Sequence, residues 1–334
     1  MIEKHLLILG SGSVGKRHAK NFSNLNCKIS AMDPREERLY EIGKETPLIG
    51  SYTTLQEALG GTEHFDGVII CSPPKFHMEQ SIACLRKGTN VYLEKPLTPD
   101  LSSAEKLERL VEEANVHLLL GYTYRWWPPL QRLKDQLISK KIGRILHVDC
   151  TMSAHLADWH PWENYWDFFM ASKELGGGAL LDESHFVDLM LWFFGLPKKI
   201  YARVEKISSL KIETDDNVDA ILVYPDGLRV KIHLDLFGRP HEKYIRITGE
   251  NGSIHWSFDP NSLKYTNKME QNWDEEIFEY KRNDMFINAA KEFLEILNGR
   301  QDYISCTAKD GADVMRVLNG MEQSTKNGCE IDLQ

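Results

Sequence analysis

Three closely spaced glycines, Gly10, Gly12 and Gly15 in the stretch LLILGSGSVGKRH, raise phosphate chemistry first. The stretch fits two patterns. As G-x-x-x-x-G-K it comes within one residue of a triphosphate loop. That loop needs Ser or Thr after the lysine, because the hydroxyl holds Mg²⁺. Arg17 stands there instead, so the metal has no ligand. As G-x-G-x-x-G the stretch follows an apolar run and opens a helical one, the context a dinucleotide turn requires. The first glycine then permits a tight turn, the second lets pyrophosphate approach the backbone, and the third lets helix and strand pack. The anion would rest at the helix N-terminus, where free N–H groups and the dipole favour it. Asp33 ends the next apolar run, CKISAMD, about 20 residues beyond the motif as the pattern demands. A carboxylate there accepts hydrogen bonds from ribose hydroxyls and repels a 2′-phosphate, so NAD is expected over NADP. Arg35 and Arg38 keep NADP open, because an arginine can hold that phosphate.

The elements that must hold this turn are legible as alternation. Apolar runs HLLILG, CKISAMD, GVIICS, NVYLEK and HLLLGY are separated by helical stretches such as HMEQSIACLRKG and SSAEKLERLVEEAN. Continuous rather than alternating apolarity suits strands covered on both faces. The expectation is an α/β chain whose residues 1–122 form a Rossmann domain, a doubly wound parallel sheet. After Tyr122 the pattern changes. PPLQRLKDQLISKKIG reads as a helix that starts at a proline pair and stops at a glycine. A long alternating run, RILHVDCTMSAH, follows, then several strands between Ile200 and Trp256. Their hairpin signals are Pro225-Asp226-Gly227 and Glu250-Asn251-Gly252. Helical segments close the chain near 284–298 and 307–327. Residues 123–334 are therefore expected to be an α+β domain for substrate binding and oligomerisation, built on a large, mainly antiparallel sheet.

Bulk properties narrow the partners. The 334 residues carry a net charge of −9 with no long basic run, which argues against a nucleic-acid or anionic-membrane partner. No apolar stretch approaches a spanning length, and the N-terminus lacks a basic region followed by a cleavable apolar segment. Six scattered cysteines without a C-x-x-C fit reduced thiols. A cytoplasmic location is the expectation.

Two further stretches, IICSPPKFH and VYLEKPL, fall at strand ends of the early sheet. Ligands of open α/β sheets bind beyond the carboxyl ends of strands. Proline cannot continue a sheet ladder, so Ser72-Pro73 and Lys95-Pro96 leave it sharply. Read by itself, Lys95 is equally well a solvated loop lysine. Taken together, GSGSVG, SPPKFH, EKPL and GGGALLDESHFVDLMLWFFG resemble the glucose–fructose oxidoreductase/inositol dehydrogenase/MocA family over nearly the whole chain.

The resemblance implies an NAD(P)-dependent oxidoreductase. It implies that Lys95 lies between nicotinamide and substrate, that the bond before Pro96 is cis, and that His185 and Asp182 are catalytic. It further implies cofactor contacts from Ser72, Pro73 and His77. Ser13, Val14, Arg38, Cys71 and Glu94 are further candidate cofactor contacts, beside Gly10, Gly12, Gly15, Asp33 and Lys95. Two departures stand out. Relatives often place acid and histidine four apart, as D-x-x-x-H, whereas Asp182 and His185 are three apart. On one helix either spacing shares a face, and Asp188, three further on, is the alternative supporting acid. Thr123 stands where relatives often have Asn.

Oxidising a secondary alcohol requires a base for the hydroxyl proton. A histidine titrates near working pH and suits the task, and Lys95 can stabilise the developing alkoxide. In an apolar helix such as this, an unassisted reading makes His185 a satisfied core residue. The aromatic stretches YRWWPP and AHLADWHPWENYW suit a sugar ring, whose C–H faces pack on aromatic rings while hydroxyls find polar partners. Candidate substrate contacts are Tyr124, Arg125, His155, Trp159, Trp162, Asp182, His185 and Arg239, the last for an anionic group. Packing between subunits is the plain alternative for any single Trp. The spacing of His155, Asp158 and His160 fits no zinc pattern, and no metal is expected. A sheet with one uncovered face would expose a large apolar patch, so a homodimer or homotetramer through the C-terminal sheet is expected. The substrate is expected to be a sugar, amino sugar, inositol or sugar nucleotide, with surface-polysaccharide or nonulosonic sugar metabolism as a finer placement. The rival readings are an NAD-dependent glycosidase with transient oxidation and a non-catalytic dinucleotide sensor.

Overall fold

The computed structural model describes residues 3–159, 164–267, 272–300 and 303–333. Trp162 and His160 lie outside the described residues. The chain divides into two compact units, residues 1–123 with 282–312, and residues 124–281 with 313–334. The split at 122/123 follows chain order; by packing, residues 282–312 belong with the first unit.

The first unit is built from β1 (His5–Leu9), α1 (Ser13–Asn24), β2 (Lys28–Met32), α2 (Glu36–Glu45), β3 (Leu48–Tyr52), α3 (Leu55–Gly60), β4 (Gly67–Ile70), α4 (His77–Arg86), β5 (Asn90–Leu93), α5 (Leu101–Glu113) and β6 (Leu118–Leu120). The strands pair in parallel in the order β3-β2-β1-β4-β5-β6. This is the doubly wound order with its reversal beside β1, where ligands bind. Leu6 to Leu9, Val68 to Ile70 and Val91 to Leu93 are fully buried, which explains their unbroken apolar runs. Strand β3, LIGSY, is missing from the sequence reading. It is an edge strand with no fully buried residue, and Gly50 interrupts its pattern.

The second unit contains α6 (Pro128–Ile138), β7 (Ile145–Ser153), α7 (Ala179–Asp182), α8 (His185–Phe194), β8 (Lys199–Glu205), β9 (Asn217–Val223), β10 (Arg229–Asp235), β11 (Glu242–Gly249), β12 (Gly252–Ser257), β13 (Ser262–Asn267) and β14 (Asp274–Ile277). After these come α9 (Asn283–Leu297), which packs with the first unit, α10 (Ala308–Asn327) and β15 (Ile331–Asp332). The nine-stranded sheet runs β14-β13-β12-β11-β7-β10-β9-β8-β15. It is antiparallel except for the pair β7/β10. Both hairpin signals form turns, with Gly227 at φ +94° and Gly249 paired to Gly252. Helix α6 stops earlier than expected, at Ile138, because Lys140 enters the left-handed region at φ +53°. Gly143 belongs to the turn beyond it.

One face of this sheet differs from expectation. Along β10, Val230, Ile232 and Leu234 are buried, while Arg229 and Lys231 are exposed and His233 is half-buried. Arg203, Asp219 and Arg246 extend the exposed row on neighbouring strands, with Tyr201 and Ile221 among them. The uncovered face is thus mainly charged rather than a large apolar patch. Burying the alternate residues alone already satisfies the sheet's hydrophobic requirement. No described helix is long and apolar enough to cross a membrane.

Candidate active site

The glycine turn has the geometry its spacing suggests. Gly10 sits at φ +93°, and a Cβ there would lie 2.7 Å from Ser72 N. Its own N–H donates to Met32 O at 2.8 Å, so the loop after β1 is pinned between β2 and β4. A Cβ on Gly15 would collide with Gly10 O, which is how α1 packs tightly on the turn. At Gly12 a Cβ would meet nothing within 4 Å. This open space lies directly before α1, and no side chain caps that helix. Ser13 and Val14 form its first turn. Free backbone donors above an open cradle fit a pyrophosphate.

Asp33, 2% exposed, follows β2. Its Oδ2 accepts from Ser11 N at 2.9 Å, fixing the shape of the glycine turn. Oδ1 accepts from Arg35 N and Nε, each at 3.1 Å. A carboxylate has about four acceptor sites; Arg35 Nη2, 3.5 Å from Oδ2, takes the fourth at the limit of bonding distance, and a ribose hydroxyl would replace that contact. The Arg35 guanidinium is turned onto Asp33, and Arg38 faces Glu41 at 3.9 Å. Both arginines are thus oriented toward carboxylates, an arrangement that suits NAD.

The second and third strand ends are tied together by His77. This buried ring places Nε2 2.9 Å from Ser72 O and Nδ1 2.8 Å from Pro96 O. Burial pushes its pKa down, while the two carbonyl oxygens favour the protonated ring. His77 therefore supports the Ser72-Pro73 and Lys95-Pro96 turns, while Cys71 N donates to Leu9 O beside them. Ser72 Oγ bonds Gln80 Oε1 at 2.7 Å. The Lys95-Pro96 bond is cis, and half-buried Lys95 emerges just beyond β5. Its neighbour Glu94 meets His18 Nε2 at 2.6 Å. Sequence reasoning gave His18 no role, although it lies in the opening stretch. Its clue was a histidine about one helical turn past Gly15, on the face α1 buries against the sheet. Thr123 is buried, its N–H bonded to Gly121 O.

The second unit assembles another group. His185 opens α8, and its ring meets buried Tyr124 edge-on at 5.0 Å. Arg125, next in sequence, forks onto Asp188 with contacts of 2.7, 3.0 and 3.2 Å, and both are buried. Asp188 lies one helical turn beyond His185, so two adjacent residues grip two residues on one helix face. Lys243 on β11 bonds Tyr124 Oη at 3.2 Å; no motif drew attention to it. Asp182 and His185 do not share one continuous helix. Asp182 ends α7, Glu183 and Ser184 form a turn, and His185 begins α8.

The parallel pair β7/β10 gathers a further set at its carboxyl ends. Leu156 N bonds Leu236 O at 2.9 Å, which brings the segments bearing His155 and Arg239 together. His155 Nδ1 accepts from Ala157 N. Arg239 forks onto Asp158 at 2.7 and 2.8 Å, with both side chains more than half exposed. That pairing pulls the Asp158 carboxyl below its usual range. Trp159 is half-buried nearby in sequence. Among the described residues no cluster of three His, Cys, Asp or Glu side chains could hold a metal ion.

Comparison with known proteins then supplies the class. Residues 4–122 match the oxidoreductase family with an NAD-binding Rossmann fold, and residues 130–255 match the GFO/IDH/MocA C-terminal domain. The chain belongs to this family of NAD-binding oxidoreductases. It is 24% identical to D-xylose 1-dehydrogenase (NADP(+)) 2 of Haloferax volcanii over 98% of both chains. It is 27% identical to 4-carboxy-2-hydroxymuconate-6-semialdehyde dehydrogenase of Sphingobium over 41% of this chain, a match spanning only 44% of that relative. Among solved structures, a levoglucosan dehydrogenase in complex with NADH superposes with a TM-score of 0.88 at 18% identity, covering 99% of each chain. The WlbA dehydrogenase from Bordetella pertussis, in complex with NADH and UDP-GlcNAcA, gives 0.82 at 21% identity, again over 99% of each.

Proposed function

We propose that this oxidoreductase interconverts a ring secondary alcohol and the corresponding ketone on a carbohydrate-like substrate: a sugar, amino sugar, inositol or sugar nucleotide. The observation that carries the reading is the single sheet edge in the first unit. There the glycine cradle, Asp33 and the Lys95-Pro96 turn all follow carboxyl ends of parallel strands. Gly10, Gly12, Gly15, Ser13 and Val14 would hold the pyrophosphate of NAD, and Asp33 its ribose. When bound, NAD supplies the two-electron acceptor for the alcohol carbon. His185 takes the hydroxyl proton, and the Lys95 ammonium stabilises the charge that grows on oxygen. Asp182 binds a ring hydroxyl or orients His185, while Asp188 holds Arg125. Tyr124, His155, Trp159 and Arg239 line the substrate. Aromatic faces beside polar groups suit a polyol.

The finer placement we favour is sugar-nucleotide chemistry in surface-polysaccharide or nonulosonic sugar metabolism. Asp158 engages Nε and Nη2 of the exposed Arg239 guanidinium, and an anionic substrate group would take its remaining N–H donors or displace Asp158; the WlbA comparison is consistent with this. A cytoplasmic location and a homodimer or homotetramer belong to the same reading; because the uncovered sheet face is mainly charged, such an interface would rest on ion pairs as well as on Tyr201 and Ile221.

A panel of sugars and sugar nucleotides, offered with NAD and with NADP and read at the NADH absorbance, tests the proposal. On the substrate so found, Lys95→Met should retain NAD affinity and lose turnover about a hundred- to a thousandfold. Full activity of Lys95→Met would overturn the catalytic assignment.

A further inference from the structure

The sequence GGGALLDESH precedes α8, and the structure shows what its glycines accommodate. Gly176 and Gly178 have φ of +84° and +113°. A Cβ on Gly177 would collide with Met170 O, and one on Gly178 with the Asp215 carboxylate. Asp215 thus fills the space that a side chain at 178 would need. Its Oδ2 accepts from Leu180 N at 2.8 Å, and its main-chain oxygen accepts from Ala179 N at 3.1 Å. The residues before it extend the seam. Thr214 Oγ1 donates to Met170 O at 2.9 Å, and Glu213 N to Ala171 O at 3.0 Å.

From this seat a ladder of bonds leads to the proposed base. Asp182 N donates to Gly178 O, and Glu183 N to Ala179 O, each at 3.0 Å. Ser184 Oγ donates to Leu181 O at 2.7 Å, and Phe186 N to Glu183 O at 3.0 Å. Wherever Asp215 holds residues 178–180, Asp182 and His185 follow. We infer that Asp215 is a positioning residue whose carboxylate seats the glycine turn and thereby sets where Asp182 and His185 stand.

A charged group in this place does not serve stability. Burial raises the Asp215 pKa from 3.8 to about 6, while the Leu180 N–H lowers it. The charges facing it are Glu322 from α10 and Asp216 beside it, with Lys173 acting on Glu322. The folded protein therefore keeps a proton that the unfolded chain releases. Stability from this group falls as pH rises through the window from 3.8 to about 6. An amide of the same shape would avoid that loss. What the carboxylate adds is a charge-assisted bond to Leu180 N, stronger than a neutral acceptor makes.

The role assigned to His185 rests on the function proposed above, so the test reads position rather than turnover. Amide exchange at Leu180 and the ring signals of His185, assigned with His185→Asn, are followed by NMR from about pH 5 to about pH 8. In the wild type, Leu180 exchange, corrected for intrinsic rate, should slow about tenfold as pH rises through the Asp215 transition. The His185 ring should report a second inflection at the same pH. Asp215→Asn should keep the bond and abolish the transition, whereas Asp215→Ala should lose Leu180 protection at every pH and displace the His185 signals. Glu322→Gln should lower the midpoint and leave the profile. A flat wild-type Leu180 profile, or Asp215→Asn superimposing on wild type, sinks the inference. Wild type and Asp215→Asn decide the matter even if Asp215→Ala does not fold. If the signals move as stated while His185→Asn retains full turnover, the seat stands and the catalytic reading of His185 falls.

Discussion

The glycine turn after β1 and the Tyr124/His185 group hold their chemistry by different means. In the first, the working groups are backbone N–H donors, and the shape comes from missing side chains at Gly10, Gly12 and Gly15. In the second, an imidazole packs on the Tyr124 ring, Lys243 bonds that ring's hydroxyl, and the Arg125–Asp188 fork ties nearby residues of the same two segments. Backbone sites tolerate change at most positions but not where a Cβ would strike main chain, as at Gly10 and Gly15. Side-chain sites distribute the dependence over residues far apart in sequence.

Four predictions sharpen this contrast. The largest effect is expected at His185→Asn, which should lower kcat about a hundred- to ten-thousandfold with little change in KM. A proportional rise in KM instead would mark His185 as a binding group. Next is Arg125→Met. It leaves Asp188 buried without its cation, and thermal or urea unfolding should show a loss of about 3–5 kcal/mol. Pairing it with Asp188→Leu should recover most of that, since two apolar partners leave no orphaned charge. On the backbone side, Gly10→Ala forces a Cβ against Ser72 at φ +93°, and about 1–3 kcal/mol of strain is expected. Calorimetry with NAD should show weakened affinity, whereas Arg125→Met should bind NAD normally. Smallest is Arg239→Gln. Its pair with Asp158 is exposed, so the melting temperature should not move, and only KM for an anionic substrate should rise.

The same contrast explains what the sequence makes legible. Gly10, Gly12 and Gly15 announce themselves by their spacing, each for its own reason: Gly10 stands at φ +93°, Gly12 leaves open space before α1, and a Cβ on Gly15 would strike Gly10 O; the β-α alternation follows from covered strands. Strand β3 escapes because an edge strand with Gly50 at its centre has no pattern to show. The pairing of Arg125 with Asp188 spans 63 positions, and nothing local encodes it. His18 reads as an ordinary helix residue until its partner Glu94 is seen; His77 stands out through the family resemblance, but nothing local encodes its bond to the Pro96 carbonyl. The three-residue spacing of Asp182 and His185 suggests a shared helix, but Glu183 at φ −92° and ψ +17° ends α7 between them. The alternation of β10 correctly orients its residues, yet says nothing of how charged the outer row is.

The helix α9 returns to the first unit late in the chain. Phe293 lies edge-on to Phe22 and Tyr92 at 6.1 and 5.9 Å, and Gly67 has no Cβ where that ring passes. During synthesis, then, the early sheet leaves the ribosome with its aromatic flank bare, and the plug that seals it is translated after the entire nine-stranded sheet apart from β15. The nucleotide-binding unit must wait, partly open, until the residues of α9 have been translated.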